Sequence, residues 1–169
     1  MSEKKNIVLI GMPGAGKSTV GVLLAKRLKY DFLDTDILIQ AHEGRSLQQI
    51  IQAGGVRKFR ETEEHYVCRV SCHAHVIATG GSVVYSERAM SHLAADGHVV
   101  FLDLSLATLK KRLSDIDARG VIRLPGQTID DLYAERTPLY RRHGRIVVPC
   151  DDRTPDQVMN AVARNVVSS

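Results

Sequence analysis

Gly11-Met12-Pro13-Gly14-Ala15-Gly16-Lys17-Ser18 decides the fold. A glycine, four further residues and then Gly-Lys-Ser make the phosphate-binding-loop (P-loop) pattern without a gap. Ile7 to Ile10 precedes the octet as a short apolar run of buried-strand type. A helical pattern begins near Lys17, with Val20, Leu23, Leu24 and Leu28 on one face. The glycines let the backbone turn tightly, so that successive N–H groups face phosphate oxygens, and the helix N-terminus adds a dipole that favours an anion. Gly14, Ala15, Gly16, Lys17, Ser18 and Thr19 are therefore the candidate phosphate-binding residues. Lys17 should reach the β- and γ-phosphates of a nucleotide, and Ser18 should ligate Mg²⁺. As a loop residue, Lys17 is expected at the surface with little part in packing. The motif specifies a nucleoside triphosphate but not what happens to it.

Outward from the octet, short apolar runs alternate with amphipathic stretches. Phe32-Leu33, Val76 to Ala78, Val99 to Leu102 and Ile146 to Val148 read as further strands. Ser46 with Gln49, Thr128 with Asp131, and Thr154 with Pro155 and Gln157 read as helix starts, and Ser105 as a helix cap. This alternation implies a mostly parallel sheet with helices on both faces. A chain of 169 residues suffices for one domain, spanning 1–169. The polar stretch Ser114 to Gln127, with Gly120, Pro125 and Gly126, stands apart and reads as a mobile lid.

Composition removes several classes of function. Hydrophobic residues make up 44% and charged residues 25%, the balance of a globular protein with a core. No apolar run approaches the roughly 20 residues of a membrane span, and Met1 to Asn6 lacks the features of a signal peptide. The net charge of +4 is spread along the chain with no aromatic platform, which argues against nucleic acid and suits a polyanionic nucleotide. Three cysteines, Cys68, Cys72 and Cys150, make no disulfide framework and fit a reducing cytoplasm. Cys68, Cys72, His73 and His75 lie close in sequence but lack the second ligand pair of a zinc site. No heptad or edge-pairing segment stands out, so a monomer is expected.

A guanine-reading Asn-Lys-x-Asp element is absent, because none of Asn6, Asn160 and Asn165 precedes a lysine. Asp117-Ala-Arg-Gly120 fits a loose switch pattern of a nucleotide-binding switch protein, but in the polar loop rather than after a strand. A motor ATPase is usually longer. The remaining reading is a small-molecule kinase. Val99 to Asp103 is a strand ending in a carboxylate, read as the start of a turn because a better magnesium-side carboxylate comes earlier. That earlier carboxylate is in Asp34-Thr35-Asp36, after the second strand. Ligands of open α/β sheets bind beyond the C-terminal strand ends. Two residues apart on an extended segment, Asp34 and Asp36 would share a face. One could then serve the metal and the other a phosphoryl acceptor.

The sequence resembles the shikimate kinase family over nearly its whole length. The resemblance rests on Gly11 to Thr19, Asp34-Thr35-Asp36, Phe59-Arg60 with Glu63, Thr79-Gly80-Gly81, and Glu135-Arg136-Thr137-Pro138-Leu139-Tyr140. It implies a three-layer α/β/α P-loop fold of the nucleoside-monophosphate-kinase type, with a five-stranded parallel sheet. It also implies a lid at about 114–127 and an acceptor-binding helical region at about 34–62. The implied reaction transfers the γ-phosphoryl of ATP to the 3-hydroxyl of shikimate, with homoserine or gluconate as alternative acceptors on the same scaffold. By the same resemblance, Asp36 binds the acceptor hydroxyl and acts as base, and Asp34 stands on the magnesium side. Arg60 and Arg136 clamp the acceptor carboxylate, a role suited to their planar forks. Gly80 and Gly81 bring backbone N–H groups to the acceptor, and Arg153 packs on adenine. Arg119, beside the hinge-competent Gly120, is taken over Arg123 as the catalytic lid arginine. Two departures stand out: Ser82 replaces a third glycine, and the lid lacks the family's Arg-Pro-Leu-like segment.

Overall fold

The structure is a computed structural model of the 169-residue chain and describes residues 5–113 and 126–167. At its centre is β1 (Asn6–Ile10), with all five residues buried. A strand with no polar face must be covered on both sides. Helix α1 (Lys17–Leu28) leaves the phosphate loop and buries Val20, Leu24 and Ala25. Strand β2 (Asp31–Asp34) passes directly into α2 (Thr35–Glu43). Helix α3 (Leu47–Val67) opens with the Ser46–Gln49 capping box and is interrupted at Gly55. Then come β3 (His75–Ala78), a 3₁₀ turn (Val83–Tyr85), α4 (Glu87–Ala95), β4 (Gly97–Asp103) and α5 (Leu106–Leu113). Helix α6 (Ile129–His143) starts with the Thr128–Asp131 capping box. Strand β5 (Ile146–Pro149) and α7 (Pro155–Val167) follow. Thr154 and Gln157 exchange backbone–side-chain bonds of 2.8 and 3.3 Å at the α7 start. Thr108 N–H donates to Ser105 Oγ at 3.3 Å, the expected cap of α5.

Among the described residues five strands form one sheet in the order β2-β3-β1-β4-β5, every neighbouring pair parallel. Val8 pairs with Ile77 on one side and Val99 on the other. Helices α1 and α7 pack on one another over the sheet, while α4 and α6 lie against β4. The main core joins Ile7 to Ile10 with Val76, Val100, Leu102 and Val162. A separate small cluster of Ile39, Ile50 and Phe59 holds α2 to α3, within the segment expected to take the acceptor. No helix among the described residues is long and apolar enough to cross a membrane.

One expectation is corrected. Asp34 and Asp36 do not lie on an extended segment: the strand ends at Asp34 and the helix starts at Thr35. Asp34 Oδ1 accepts the backbone N–H groups of Asp36 at 2.9 Å and Ile37 at 3.3 Å. These are donors a helix start leaves orphaned, and capping them turns the chain.

Candidate active site

The C-terminal ends of β1, β2 and β3 bring three short segments together. After β1, Gly14 (φ 82°) and Gly16 (φ 94°) take left-handed backbone that a side chain would disfavour. Gly16 caps α1 without a side-chain bond, so the first N–H groups of the helix have no side-chain acceptor and face the loop. Lys17 is not a surface residue. It is only 8% exposed, and its Nζ donates to Gly11 O at 2.7 Å and Met12 O at 2.9 Å. Burial lowers its pKa to about 8, with Asp36 opposing the shift. The ammonium is thus an interior part of the loop, because its stem must fold back to reach carbonyls the turn exposes.

After β2, Ser18 Oγ donates to Asp34 Oδ2 at 2.6 Å. A hydroxyl and a carboxylate side by side form an oxygen donor set that fits Mg²⁺, which is commonly held by one or two protein oxygens plus phosphates and waters. No group of three or more His, Cys, Asp or Glu residues able to hold a metal occurs among the described residues, Cys68 to His75 included. Asp103, at the end of β4, accepts from Arg141 Nη2 at 2.8 Å.

Asp36 Oδ1 is buried with no hydrogen-bond partner in the protein. Burial, then the charge of Asp34, raises its pKa to about 6, against the pull of Lys17. After β3, a Cβ at Gly80 would sit 2.5 Å from Glu63 Oε1 and 2.6 Å from Asp36 Oδ1, so only glycine leaves room for the two carboxylates. The Gly80 N–H donates to Thr35 Oγ1 at 3.0 Å, which revises its expected role: Gly80 contributes space, not a donor. Gly81 is tied through its carbonyl to Tyr140 Oη at 2.5 Å. A Cβ there would meet Arg136 Nη1 at 3.0 Å. Ser82, the residue at the third glycine position, donates to Glu63 Oε2 at 2.6 Å. Burial nonetheless raises Glu63 to about 7, the Ser82 bond being the largest opposing effect.

The two arginines expected to clamp an acceptor come from different helices. Arg60, on α3, has a buried Nε with no partner in the protein. Arg136, on α6, is 1% exposed. Arg153 lies with Ala15, Gly16, Thr19 and Arg112 around a cavity of about 190 Å³ beside the phosphate loop. Arg112 Nη1 donates to Gly14 O at 3.2 Å. Sequence reasoning passed over Arg112, although the run Lys110-Lys111-Arg112 at the end of α5 was a visible signal. The lid arginines Arg119 and Arg123 lie outside the described residues.

A family model described as shikimate kinase matches residues 13–167. The chain belongs to the shikimate kinase family. A shikimate kinase of Sulfurihydrogenibium sp. (strain YO3AOP1) is 35% identical over 163 residues, covering 96% of this chain and 98% of that one. One of Rippkaea orientalis is 37% identical over 163 residues, covering 93% and 85%. Among solved structures, shikimate kinase from Acinetobacter baumannii in complex with shikimate superposes with a TM-score of 0.89 at 29% identity, covering 98% of this chain and 94% of that one. Shikimate kinase from Aquifex aeolicus gives 0.81 at 30% identity, covering 96% of each. Against the shikimate kinase pattern, the Ser82 hydroxyl is not a plug in the cleft: it is spent on Glu63.

Proposed function

We propose that the protein transfers the γ-phosphoryl group of ATP to the 3-hydroxyl of shikimate, giving shikimate 3-phosphate and ADP. One observation carries the reading: an unpartnered Asp36 oxygen and the charges of Arg60 and Arg136 converge around buried Glu63 and Gly80-Gly81, a grouping read here as an acceptor cleft. Such a cleft suits a small molecule with a hydroxyl at one end and a carboxylate at the other. The A. baumannii relative, similar over nearly its whole length, is described in complex with shikimate.

The residues divide the work as follows. The N–H groups from Gly14 to Thr19 and the Lys17 ammonium hold the triphosphate and offset charge on its terminal oxygens. Arg60 and Arg136 grip the acceptor carboxylate and so fix where its hydroxyl points. Asp36 accepts the hydroxyl proton as the acceptor oxygen bonds to the γ-phosphorus and the bond to the ADP oxygen breaks. Positioning supplies most of the acceleration in such a loose transition state. Ser18 and Asp34 would hold Mg²⁺, which supplies neutralisation of the β- and γ-phosphate oxygens when bound. Arg153 and Arg112 border the adenine side, and the lid arginine, Arg119, would approach the moving phosphoryl. The lid at 114–127, the helical region at 34–62, a single domain and a cytoplasmic monomer complete the reading; the three cysteines are all free thiols, which suits a reducing compartment.

Coupled ADP release with shikimate, homoserine and gluconate as separate acceptors tests it. Shikimate-dependent ADP production, well above both others, is expected. No shikimate dependence overturns the assignment.

A further inference from the structure

Tyr85 closes the 3₁₀ turn after Gly80-Gly81-Ser82, and no motif in the sequence drew attention to it. Its two predecessors, Val83 and Val84, are 1% and 2% exposed and anchor the turn in the core. The Tyr85 N–H bonds back to Ser82 O at 3.1 Å, so the side chain leaves the turn in a set direction. The ring lies beneath Arg60, whose guanidinium carbon is 3.7 Å from the ring centroid. The hydroxyl accepts from Arg136 Nε at 3.2 Å and donates to Glu135 Oε1 at 2.6 Å. One side chain therefore touches both arginines of the cleft, from α3 and from α6, by two different interactions.

Neither interaction occupies more than part of its guanidinium, which carries five N–H donors. Stacking covers the face of Arg60 and keeps its in-plane N–H groups at the edge, where a carboxylate docks. The hydroxyl takes Arg136 on its Nε side, while Nη1 lies beside Gly81 at the cleft floor. Two guanidiniums this close repel one another, and Glu135, reached through the hydroxyl, places an anion behind them. Burial and the Glu135 bond raise the phenol above its ordinary range, so the hydroxyl stays neutral and keeps both roles.

We propose that Tyr85 is a positioning residue that sets acceptor specificity, its ring and hydroxyl aiming both guanidiniums at one acceptor carboxylate. This rests on the reading of Arg60 and Arg136 as the carboxylate clamp. The Tyr85 side chain contacts Arg60, Glu135 and Arg136 rather than the phosphate loop or Asp36, so its effect belongs in acceptor binding.

The experiment is steady-state kinetics of Tyr85→Phe, Tyr85→Leu and Arg136→Lys with two acceptors, shikimate and its neutral carboxamide. Tyr85→Phe keeps the ring under Arg60 and loses the hydroxyl; it should raise the shikimate KM about 10-fold, the scale of one hydrogen bond to a charged group. Tyr85→Leu loses both contacts and should raise it further. The ATP KM should stay within about twofold, and the KM for the carboxamide should match wild type in both variants, because no carboxylate is there to be aimed at. Unchanged shikimate KM in both Tyr85 variants, or equal increases for acid and amide, overturns the proposal and leaves Tyr85 a packing residue. Arg136→Lys separates the two layers: if it too leaves the shikimate KM unchanged, the clamp reading itself has failed. If Tyr85→Leu does not fold, the near-isosteric Tyr85→Phe decides alone.

Discussion

Asp36 buries one carboxylate oxygen with no protein donor against it, a costly arrangement that the hydroxyl of an acceptor would relieve. Its pKa of about 6 makes it a stronger base than an exposed aspartate while leaving it ionised near neutrality. Replacing it with Asn should lower kcat by about 10²-fold or more with little change in the ATP KM. Equal loss of ATP affinity would move Asp36 to the nucleotide side. The wild-type profile of kcat/KM should have an acid limb near pH 6, where Asp36 takes up a proton, and an alkaline limb near pH 8, where Lys17 loses one. A flat profile between pH 5 and 9 would contradict both assignments. The sequence made Lys17 and Asp36 visible by motif, but not their environments. Whether a lysine's stem folds inward depends on which carbonyls the turn presents, and no local pattern states that.

Helix starts were the most legible elements. The Ser46–Gln49 and Thr128–Asp131 boxes stand where their spacing put them, because the reciprocal bonds are made within four residues. The Asp34–Asp36 corner was misread as extended for the same kind of reason: nothing in two alternating aspartates says which one caps. Asp34 does two jobs here, holding the α2 start and meeting Ser18. Substitution can separate them. Asn caps nearly as well as Asp, so Asp34→Asn should keep stability within a few tenths of a kcal/mol yet demand more Mg²⁺ for half-maximal rate. Asp34→Ala should show the same Mg²⁺ defect and also lose about 1 kcal/mol. Magnesium titrations and thermal melts check the pair; an unaltered Mg²⁺ requirement in both would remove Asp34 from the metal side. Tyr85, by contrast, was hidden from sequence: its partners lie on α3 and α6, 25 and 51 residues away in opposite directions.

For the whole molecule, the alternation of apolar runs with capped helices made the parallel sheet legible, because strands covered on both faces have no polar side to interrupt them. The order β2-β3-β1-β4-β5 was not written in those runs, since each would fit any interior place. The folded chain also bears a cost at its site. Glu63 is 2% exposed, and its pKa of about 7 lies above the ordinary 4.5. The raised value means that the folded state holds this proton where the unfolded chain has released it. The group's favourable contribution is therefore complete below about pH 4.5 and is lost as pH rises through 7. Glu63→Gln should melt higher than wild type at pH 8, by several degrees at roughly 2–4 °C per kcal/mol, with the gap closing towards pH 5. A gap independent of pH would show that Glu63 is not buried at this cost. The central claim, that a P-loop and an acidic, arginine-lined cleft pass a phosphoryl group to one hydroxyl, is tested most directly by ³¹P NMR of the protein with ATP, Mg²⁺ and shikimate. The γ-phosphate signal should be replaced, one for one, by a phosphate ester coupled to the ring proton at the 3-position, together with ADP. Inorganic phosphate appearing instead while shikimate stays intact, or an unchanged ATP spectrum, would contradict the account.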